Sequence, residues 1–249
     1  MYDLATRRTA IALLEAGVSL RAVSIETGIS RYTLRDWREN GVERPSTKPD
    51  CPLCTGTLPG PRDQYVYLLG LYLGDGCVSE HARTTALRIS CCNDWPGLMD
   101  ECARALESVS NRQSFRTANP GCHEITVLWK HWPCLFPQHG RGRKHERPIA
   151  LTDWQLRMVQ ADPRPLIRGL IQSDGCRITN WTERTVGGTT KRYTYPRYFF
   201  SNVSVDIQRI FTDALDLLGI PWKQNRWNSI SVARKEAVAA LDEFVGPKY

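Results

Sequence analysis

Two apolar segments of the 249-residue sequence end alike, in a small residue followed by Asp-Gly. The first spans residues 68–76 and the second spans residues 167–175, and in each a glycine also lies five positions before the acid. Glycine allows two backbones to approach closely. Two such helices packed side by side would bring Asp75 and Asp174 together, and paired carboxylates can hold a divalent metal ion.

The separation of these acids, 99 positions (174 − 75), is roughly the length of a duplicated half-domain. Aligning the motifs matches residues 125–130 with residues 230–235, each an alternating strand pattern that ends in a lysine. Residues 89–90 likewise match residues 200–201, and an amphipathic helix pattern follows each pair. Each half is therefore predicted to contain a helix, two strands, a helix, two strands and a helix.

From about residue 63 onward, the two motifs and their flanking pattern resemble the LAGLIDADG homing endonucleases in their single-chain, two-repeat form. The resemblance implies an α+β fold, a pseudo-two-fold duplicated αββαββα unit, with repeats at 63–162 and 163–249. It also implies a site-specific double-stranded DNA endonuclease that acts as a monomer, with Mg²⁺ held by Asp75 and Asp174. The family uses a lysine from each half, and the internal alignment assigns Lys130 and Lys235. The open alternatives are acids that only cap helices and lysines that only contact phosphate or solvent.

Residues 1–41 predict a small all-α domain of three short helices that resembles a helix-turn-helix. Ser19 and Ser30 are predicted N-caps, Gly28 is the predicted turn, and Val23 and Ile25 are expected to face inward. The last helix would enter the major groove, and its predicted DNA-contacting residues are Arg31, Tyr32, Thr33, Arg35 and Arg38. The alternative is a three-helix module that binds protein.

Residues 42–62 are rich in Pro, Gly, Ser and Thr, which is typical of a linker between domains. This segment contains Cys51-Pro-Leu-Cys54, half of a structural zinc knuckle. The second pair of Zn²⁺ ligands is assigned to Cys134 and His139. The open alternatives are His145, the adjacent pair Cys91 and Cys92, and no metal at all.

A net charge of +7 and a pI near 9.0 favour a polyanionic partner such as DNA. Residues 139–147 predict a flexible basic loop, and residues 190–198 a strand that follows a turn at Gly187-Gly188. Arg177 and Asn180 are expected to share one face of the preceding strand. The predicted DNA-contacting residues of these segments are Arg141, Arg143, Lys144, Arg147, Arg177, Asn180, Lys191, Arg192 and Arg197. A solvated surface would give the same pattern.

No secretory signal and no membrane-spanning segment are expected, and nine cysteines suggest thiols in a reducing compartment. A cytoplasmic, nucleoid-associated protein is therefore predicted. Besides the nuclease, two functions stay open: a DNA-binding transcriptional regulator that keeps the fold without cleavage, and an RNA-binding or splicing-assisting protein. Two acids held near phosphate favour the nuclease, because their repulsion is relieved only by a cation between them.

Overall fold

The computed structural model describes residues 2–42 and 50–249, and the chain divides into two compact units, Met1–Asp50 and Cys51–Tyr249. Residues 43–49 of the predicted linker lie outside the described residues. The remaining part of that linker, from Cys51 onward, belongs to the second unit.

The first unit contains α1 (Leu4–Glu15), α2 (Leu20–Thr27) and α3 (Arg31–Asn40). The side chains of Ser19 and Ser30 accept the capping hydrogen bonds of α2 and α3, as predicted. Gly28 ends α2 with φ +69°, a left-handed conformation that suits glycine. The buried core consists of Ala10, Val23, Ile29, Leu34 and Trp37. The inward orientation predicted for Ile25 is wrong, because its side chain is 75% exposed on the outer side of α2.

The second unit contains the same series of elements twice. The first series is α4 (Arg62–Asp75), β1 (Gly76–Glu80), β2 (Thr85–Cys92), α5 (Pro96–Ser110), β3 (Phe115–Asn119), β4 (Cys122–Leu128), α6 (Trp132–Leu135) and α7 (Asp153–Ala161). The second is α8 (Arg164–Asp174), β5 (Gly175–Val186), β6 (Thr189–Ser201), α9 (Val205–Leu217), β7 (Lys223–Arg226), β8 (Ser229–Val232) and α10 (Lys235–Asp242). The duplicated order that the sequence predicts is confirmed, with α7 as an additional helix in the first half.

The two antiparallel sheets have equivalent strand orders, β1-β2-β4-β3 and β5-β6-β8-β7. Ile89 pairs with Ile125 in the first sheet, and Phe200 pairs with Ile230 in the second. These are the residues that the internal alignment matched, so the repeat extends to the strand register. The Gly187-Gly188 turn between β5 and β6 is also confirmed, with φ values of +61° and +76° that favour glycine.

Helices α4 and α8 pack against each other at the centre of the second unit. Every residue of α4 from Tyr65 to Leu73 is buried, since neighbouring elements cover the helix on all sides. Within residues 2–42 and 50–249, no helix is both long enough and apolar enough to span a membrane.

Candidate active site

Glycines bring α4 and α8 into backbone contact. A Cβ atom added at Gly70 would lie 2.5 Å from a carbonyl oxygen of α8, and one added at Gly169 would collide with the backbone of α4. One turn further on, Gly74 faces Ser173 with no room for a second side chain. Real Cβ atoms do not approach backbone oxygens this closely, so the contact between α4 and α8 requires glycine where the helices cross. This close packing fixes the two helix ends relative to each other.

The last residues of these two helices, Asp75 and Asp174, line one cleft of about 410 Å³. The Nδ2 of Asn202, which follows β6, donates a hydrogen bond of 2.6 Å to Oδ2 of Asp174. Asp75 is closely surrounded by protein atoms, but its side chain opens to the solvent of the cleft. The cleft therefore presents two carboxylates from symmetric positions of the repeat.

Burial raises the pKa of both acids, and the charge of Asp174 raises that of Asp75 further. Burial, followed by the negative charge of Asp174, raises the pKa of Asp75 from its usual 3.8 to about 6. Burial also raises the pKa of Asp174, while the hydrogen bond from Asn202 and two nearby lysines act in the opposite direction. Two carboxylates that face one cleft supply oxygen ligands, which suit a hard divalent cation.

One of the two lysines is Lys144, in a short 3-10 turn of the predicted basic loop. Its Nζ donates hydrogen bonds to the carbonyl oxygens of Leu73 (3.0 Å) and Gly74 (2.7 Å), and to that of Tyr72. These carbonyls end α4, where a cation also interacts favourably with the helix dipole. Burial lowers the pKa of Lys144 to about 8, although Asp174 and Asp75 favour its charged form.

The second lysine, Lys248, occupies the equivalent place on α8. Its Nζ donates to the carbonyl oxygens of Gly175 (2.7 Å) and Ser173 (3.3 Å), and burial lowers its pKa. The segment that carries it is held on the first repeat, because the carbonyl oxygen of Tyr249 accepts a hydrogen bond of 2.7 Å from the backbone N–H of Gly97. The carbonyl oxygens at the end of α4 and of α8 are therefore each hydrogen-bonded by a lysine.

The structure does not bring the predicted Lys130 and Lys235 to the cleft. Both side chains are exposed, and neither lines the cleft. Lys144 and Lys248 each lie 16 residues beyond the last strand of their half (144 − 128 and 248 − 232). This equal spacing is the sequence signal that identifies Lys144 and Lys248. The alignment of the strand ends instead selects Lys130 and Lys235, which lie earlier in the chain.

Three predicted DNA-contacting residues of the β5–β6 hairpin share one face of the sheet. Arg197 lies opposite Ile178 and Lys191 lies opposite Arg184, and residues directly opposite each other in a sheet point to the same face. Asn180 shares that face, because it is separated from Ile178 and from Arg184 by an even number of positions. This face points away from the helices, because the alternate residues Tyr198 and Phe200 are buried in the core. The Nε of Arg197 donates to Oγ of Ser231 (2.6 Å), which fixes its guanidinium on the sheet surface.

Arg177 and Arg192 lie on the opposite face, so the expectation that Arg177 and Asn180 share a face is wrong. Strand β5 is regular, and an odd separation reverses the side of the strand. Arg177 is bound to the carboxylate of Asp242 by two hydrogen bonds of 2.7 and 2.8 Å. The guanidinium of Arg192 lies 4.4 Å from the ring centroid of Trp181. Their prediction as DNA contacts is not supported by this placement.

The other predicted contacts divide between exposed and engaged side chains. In the first unit the side chains of Arg31, Tyr32, Arg35 and Arg38 are exposed and that of Thr33 is half-buried. In the basic loop Arg141 and Arg143 are exposed, whereas Arg147 donates to the carbonyl oxygen of Gln138 and His145 lines the cleft that contains Asp75 and Asp174. The DNA-binding role of these residues stays a prediction.

Three of the four predicted zinc ligands come together. Cys51, Cys54 and Cys134 form a cluster, but its fourth member is His131 and the assignment of His139 is wrong. The Nδ1 of His139 lies 3.1 Å from the carbonyl oxygen of Phe136, outside the cluster.

The alternative zinc ligands also lie elsewhere. The sulfur of Cys91 is buried 3.5 Å from that of Cys102, Cys92 is exposed, and His145 lines the cleft that contains Asp75 and Asp174.

The repeated element order, the two equivalent sheets and the central helices that each end in an aspartate constitute the duplicated αββαββα LAGLIDADG fold. No protein-family model and no curated protein match the chain. It is similar to solved structures of mesophilic variants of the homing endonuclease I-DmoI (12% identity, 75% of this chain and 97% of that chain, TM-score 0.48). It is also similar to the LAGLIDADG meganuclease I-AabMI bound to uncleaved DNA (10% identity, 72% and 82%, TM-score 0.47). A third is the N-terminal LAGLIDADG domain of WhiA (11% identity, 76% and 84%, TM-score 0.43). Likenesses of this degree transfer neither a substrate nor a catalytic residue to this chain.

Proposed function

We propose that this protein is a site-specific, Mg²⁺-dependent endonuclease that hydrolyses phosphodiester bonds in double-stranded DNA. The observation that supports this proposal is the meeting of Asp75 and Asp174 in one cleft, each at the end of a helix that is locked to the other by glycine. One chain carries both acids, so it acts as a monomer. Its expected place of action, nucleoid DNA in the cytoplasm, stays a prediction.

Asp75 and Asp174 would hold Mg²⁺ through their carboxylate oxygens, and the ion would supply Lewis-acid activation of water and neutralise charge on the phosphate. Asn202 orients Asp174 by its hydrogen bond of 2.6 Å, so that carboxylate keeps one position in the cleft. Asp75 is the more open of the two acids and is the one whose proton competes most directly with the cation.

Lys144 and Lys248 supply positive charge next to the acids without bonding to them directly. The Nζ of Lys144 donates to three helix-end carbonyls and that of Lys248 donates to two, so both lysines act electrostatically on the phosphate from fixed positions. In this role each lysine neutralises the negative end of a helix dipole that would otherwise repel the DNA backbone.

The outer faces of the two sheets form the DNA-binding surface of this proposal. Asn180, Lys191 and Arg197 lie on that face of the second sheet, and Arg88 lies on the corresponding face of the first, where it donates to Oγ of Ser79 at 2.7 Å. Basic side chains there contact phosphates, while amide and hydroxyl groups read base edges. The N-terminal three-helix unit extends the recognised site through the exposed residues of α3.

The test separates DNA binding from DNA cleavage. Sites selected from a randomised duplex library are assayed for binding in Ca²⁺ and for cleavage in Mg²⁺. We expect Asp75→Asn and Asp174→Asn to lose cleavage by at least about a thousandfold while binding is kept. The matched control is Asp213→Asn, which changes an exposed carboxylate of α9 and should cleave normally.

A comparison of lysines tests the two assignments made above. Lys144→Met and Lys248→Met should each slow single-turnover cleavage at saturating protein by about ten- to a hundredfold. Lys130→Met and Lys235→Met, the positions chosen by strand-end alignment, should leave the rate unchanged. The reverse result would restore the sequence-based assignment.

The binding and cleavage assays, with structured RNA added as a competitor, also distinguish the nuclease from the alternative functions. Tight binding to selected duplexes with no cleavage in Mg²⁺ or Mn²⁺ would contradict the nuclease and favour a DNA-binding regulator. Preference for a structured RNA over every selected duplex would favour the RNA-binding function instead.

A further inference from the structure

Three cysteines and a histidine of the second unit form a cluster on the surface of the first repeat. Their ligand atoms all lie within 4.8 Å of one another. Cys51 precedes a 3-10 turn (Leu53–Thr55) at the start of the unit and Cys54 lies within it, whereas His131 and Cys134 belong to the segment of α6, about eighty positions later. The cluster therefore joins two parts of the chain that are distant in sequence.

The distances among Cys54, Cys134 and His131 match a tetrahedral zinc centre, and the sulfur of Cys51 lies within 4.8 Å of the other three ligand atoms. Zn–S bonds of about 2.3 Å and Zn–N bonds of about 2.0–2.1 Å place two sulfurs about 3.8 Å apart, and a sulfur and a nitrogen about 3.6 Å apart. Observed values are 3.8 Å between the sulfurs of Cys54 and Cys134, 3.5 Å from Cys54 Sγ to His131 Nδ1, and 3.8 Å from Cys134 Sγ to His131 Nδ1. A disulfide would need sulfurs about 2.0 Å apart.

Both ligand pairs are held in place by their surroundings. Helix α6 is anchored because the Nε1 of Trp132 donates to the carbonyl oxygen of Val127 (2.9 Å) and the hydroxyl of Tyr65 donates to that of Leu135 (2.7 Å). A three-residue separation then places His131 and Cys134 on one side of the turn.

On the other segment, the backbone N–H of Thr55 donates to the carbonyl oxygens of Cys51 (3.1 Å) and Pro52 (3.0 Å), which closes a tight turn around Cys54. Gly56 follows with φ +80°, which reverses the chain after the second cysteine. This is the backbone arrangement that stabilises thiolate ligands in a knuckle.

We propose that Cys51, Cys54, His131 and Cys134 bind one structural Zn²⁺ ion, which fastens the start of the second unit to α6 of the first repeat. Four protein ligands leave no open coordination position, so the ion is structural and takes no part in hydrolysis. The segment needs such a tie because few of its side chains reach the core: Cys51 is buried and Leu53 packs partly against it. The proposal is independent of the function of the Asp75–Asp174 cleft.

The test measures metal content rather than cleavage. The full chain, purified without chelator, should contain about one zinc per molecule by mass spectrometry of the elements. Replacement by Co²⁺ should give the strong visible absorption of tetrahedral cobalt with thiolate ligands. Removing the zinc should lower the Tm by at least about 5 °C, and adding zinc back should restore it.

Variants assign the ligands. His131→Ala and Cys54→Ser should retain less than about a tenth of the zinc, and His131→Cys should restore it because cysteine can replace histidine as a ligand. The controls are Cys122→Ser, a cysteine outside the cluster, and His139→Ala, the histidine suggested by sequence spacing; both should keep full zinc. Asp75→Asn should also keep it, which separates this site from the catalytic cleft.

Three results would overturn the proposal. One is a wild-type protein with well under one zinc per chain after growth in zinc-supplemented medium. Another is iron instead of zinc at the same stoichiometry. The third is a Cys54–Cys134 disulfide, detected as the loss of two hydrogens from the mass of the purified chain.

Discussion

Replacing Asp75 by asparagine should stabilise the protein in the absence of Mg²⁺ while it abolishes DNA cleavage. The substitution keeps the size of the side chain but removes one of the two negative charges in the cleft. In the metal-free protein that charge is unfavourable, since burial and Asp174 together raise the pKa of Asp75 to about 6. Functional sites commonly hold such strain at a cost in stability.

The expected gain in folding stability follows from the shift of the Asp75 pKa. A change from 3.8 to about 6 corresponds to about 3 kcal/mol between the two protonation states at pH 8. Solvent in the cleft reaches the Asp75 side chain and screens its interactions, so we expect about half of this, ~1.5 kcal/mol. For a unit of this size the corresponding rise in Tm is about 3–6 °C.

The sign of the pH dependence is fixed by the direction of the shift. When an acid has a higher pKa in the folded state, the protein loses stability as the pH rises from the unfolded to the folded pKa of that acid, here from 3.8 to about 6. The advantage of Asp75→Asn should therefore be complete at pH 8 and fall to about half at pH 5 and about a fifth at pH 4.

The assay is urea denaturation at pH 5 and pH 8 in buffer without Mg²⁺ and without chelator, so that any zinc stays bound. Asp213→Asn should differ from wild type by less than about 0.5 kcal/mol at both pH values. Adding Mg²⁺ should stabilise wild type and leave Asp75→Asn unchanged. The reasoning is refuted if Asp75→Asn is no more stable than wild type at pH 8, or if its gain is the same at both pH values.

Three further predictions concern the helix contact, the metal and the N-terminal unit. Gly70→Val should destabilise the fold by more than about 3 kcal/mol in urea denaturation, because its Cβ would meet backbone at 2.5 Å, while the control Gly140→Ala should stay within about 1 kcal/mol. The Mg²⁺ concentration for half-maximal cleavage should rise about tenfold per pH unit below pH 6, where protons compete for Asp75, and a flat profile would contradict this. Arg35→Ala should weaken DNA binding about tenfold and reduce its salt dependence without changing the cleavage rate of bound DNA, whereas Arg21→Ala on α2 should do neither.

Local signals explain why so much of the fold could be predicted from the sequence. Ser19 and Ser30 carry the capping hydroxyls that begin α2 and α3, and the Gly187-Gly188 pair supplies the positive φ angles of its hairpin. The match of Ile125 with Ile230 fixed the register of the repeat, because side chains alternate along a strand. The close approach of the two Asp-Gly helices required only the spacing of their small residues.

Errors arose where a short-range pattern had to stand for three-dimensional position. His139 follows Cys134 closely enough to suggest a ligand pair, but the short helix α6 places His131, three residues before Cys134, on the ligand side. The same spacing rule applied backwards along the chain would have found it. Arg177 was grouped with Asn180 although an odd separation along a strand separates their faces.

The two lysines near the acids, Lys144 and Lys248, were missed for a different reason, which follows from the electrostatics of the site. Helices α4 and α8 converge with their negative ends, and each adds a carboxylate at the same point. The carbonyls at those ends accept hydrogen bonds from capping N–H groups, from side chains or from water. Lys144 and Lys248, on segments that return to the helix ends after each sheet is complete, donate to these carbonyls. The two positive charges of these lysines balance the two negative charges of Asp75 and Asp174. A bound divalent cation would therefore give the site a net positive charge, which favours binding of a phosphate.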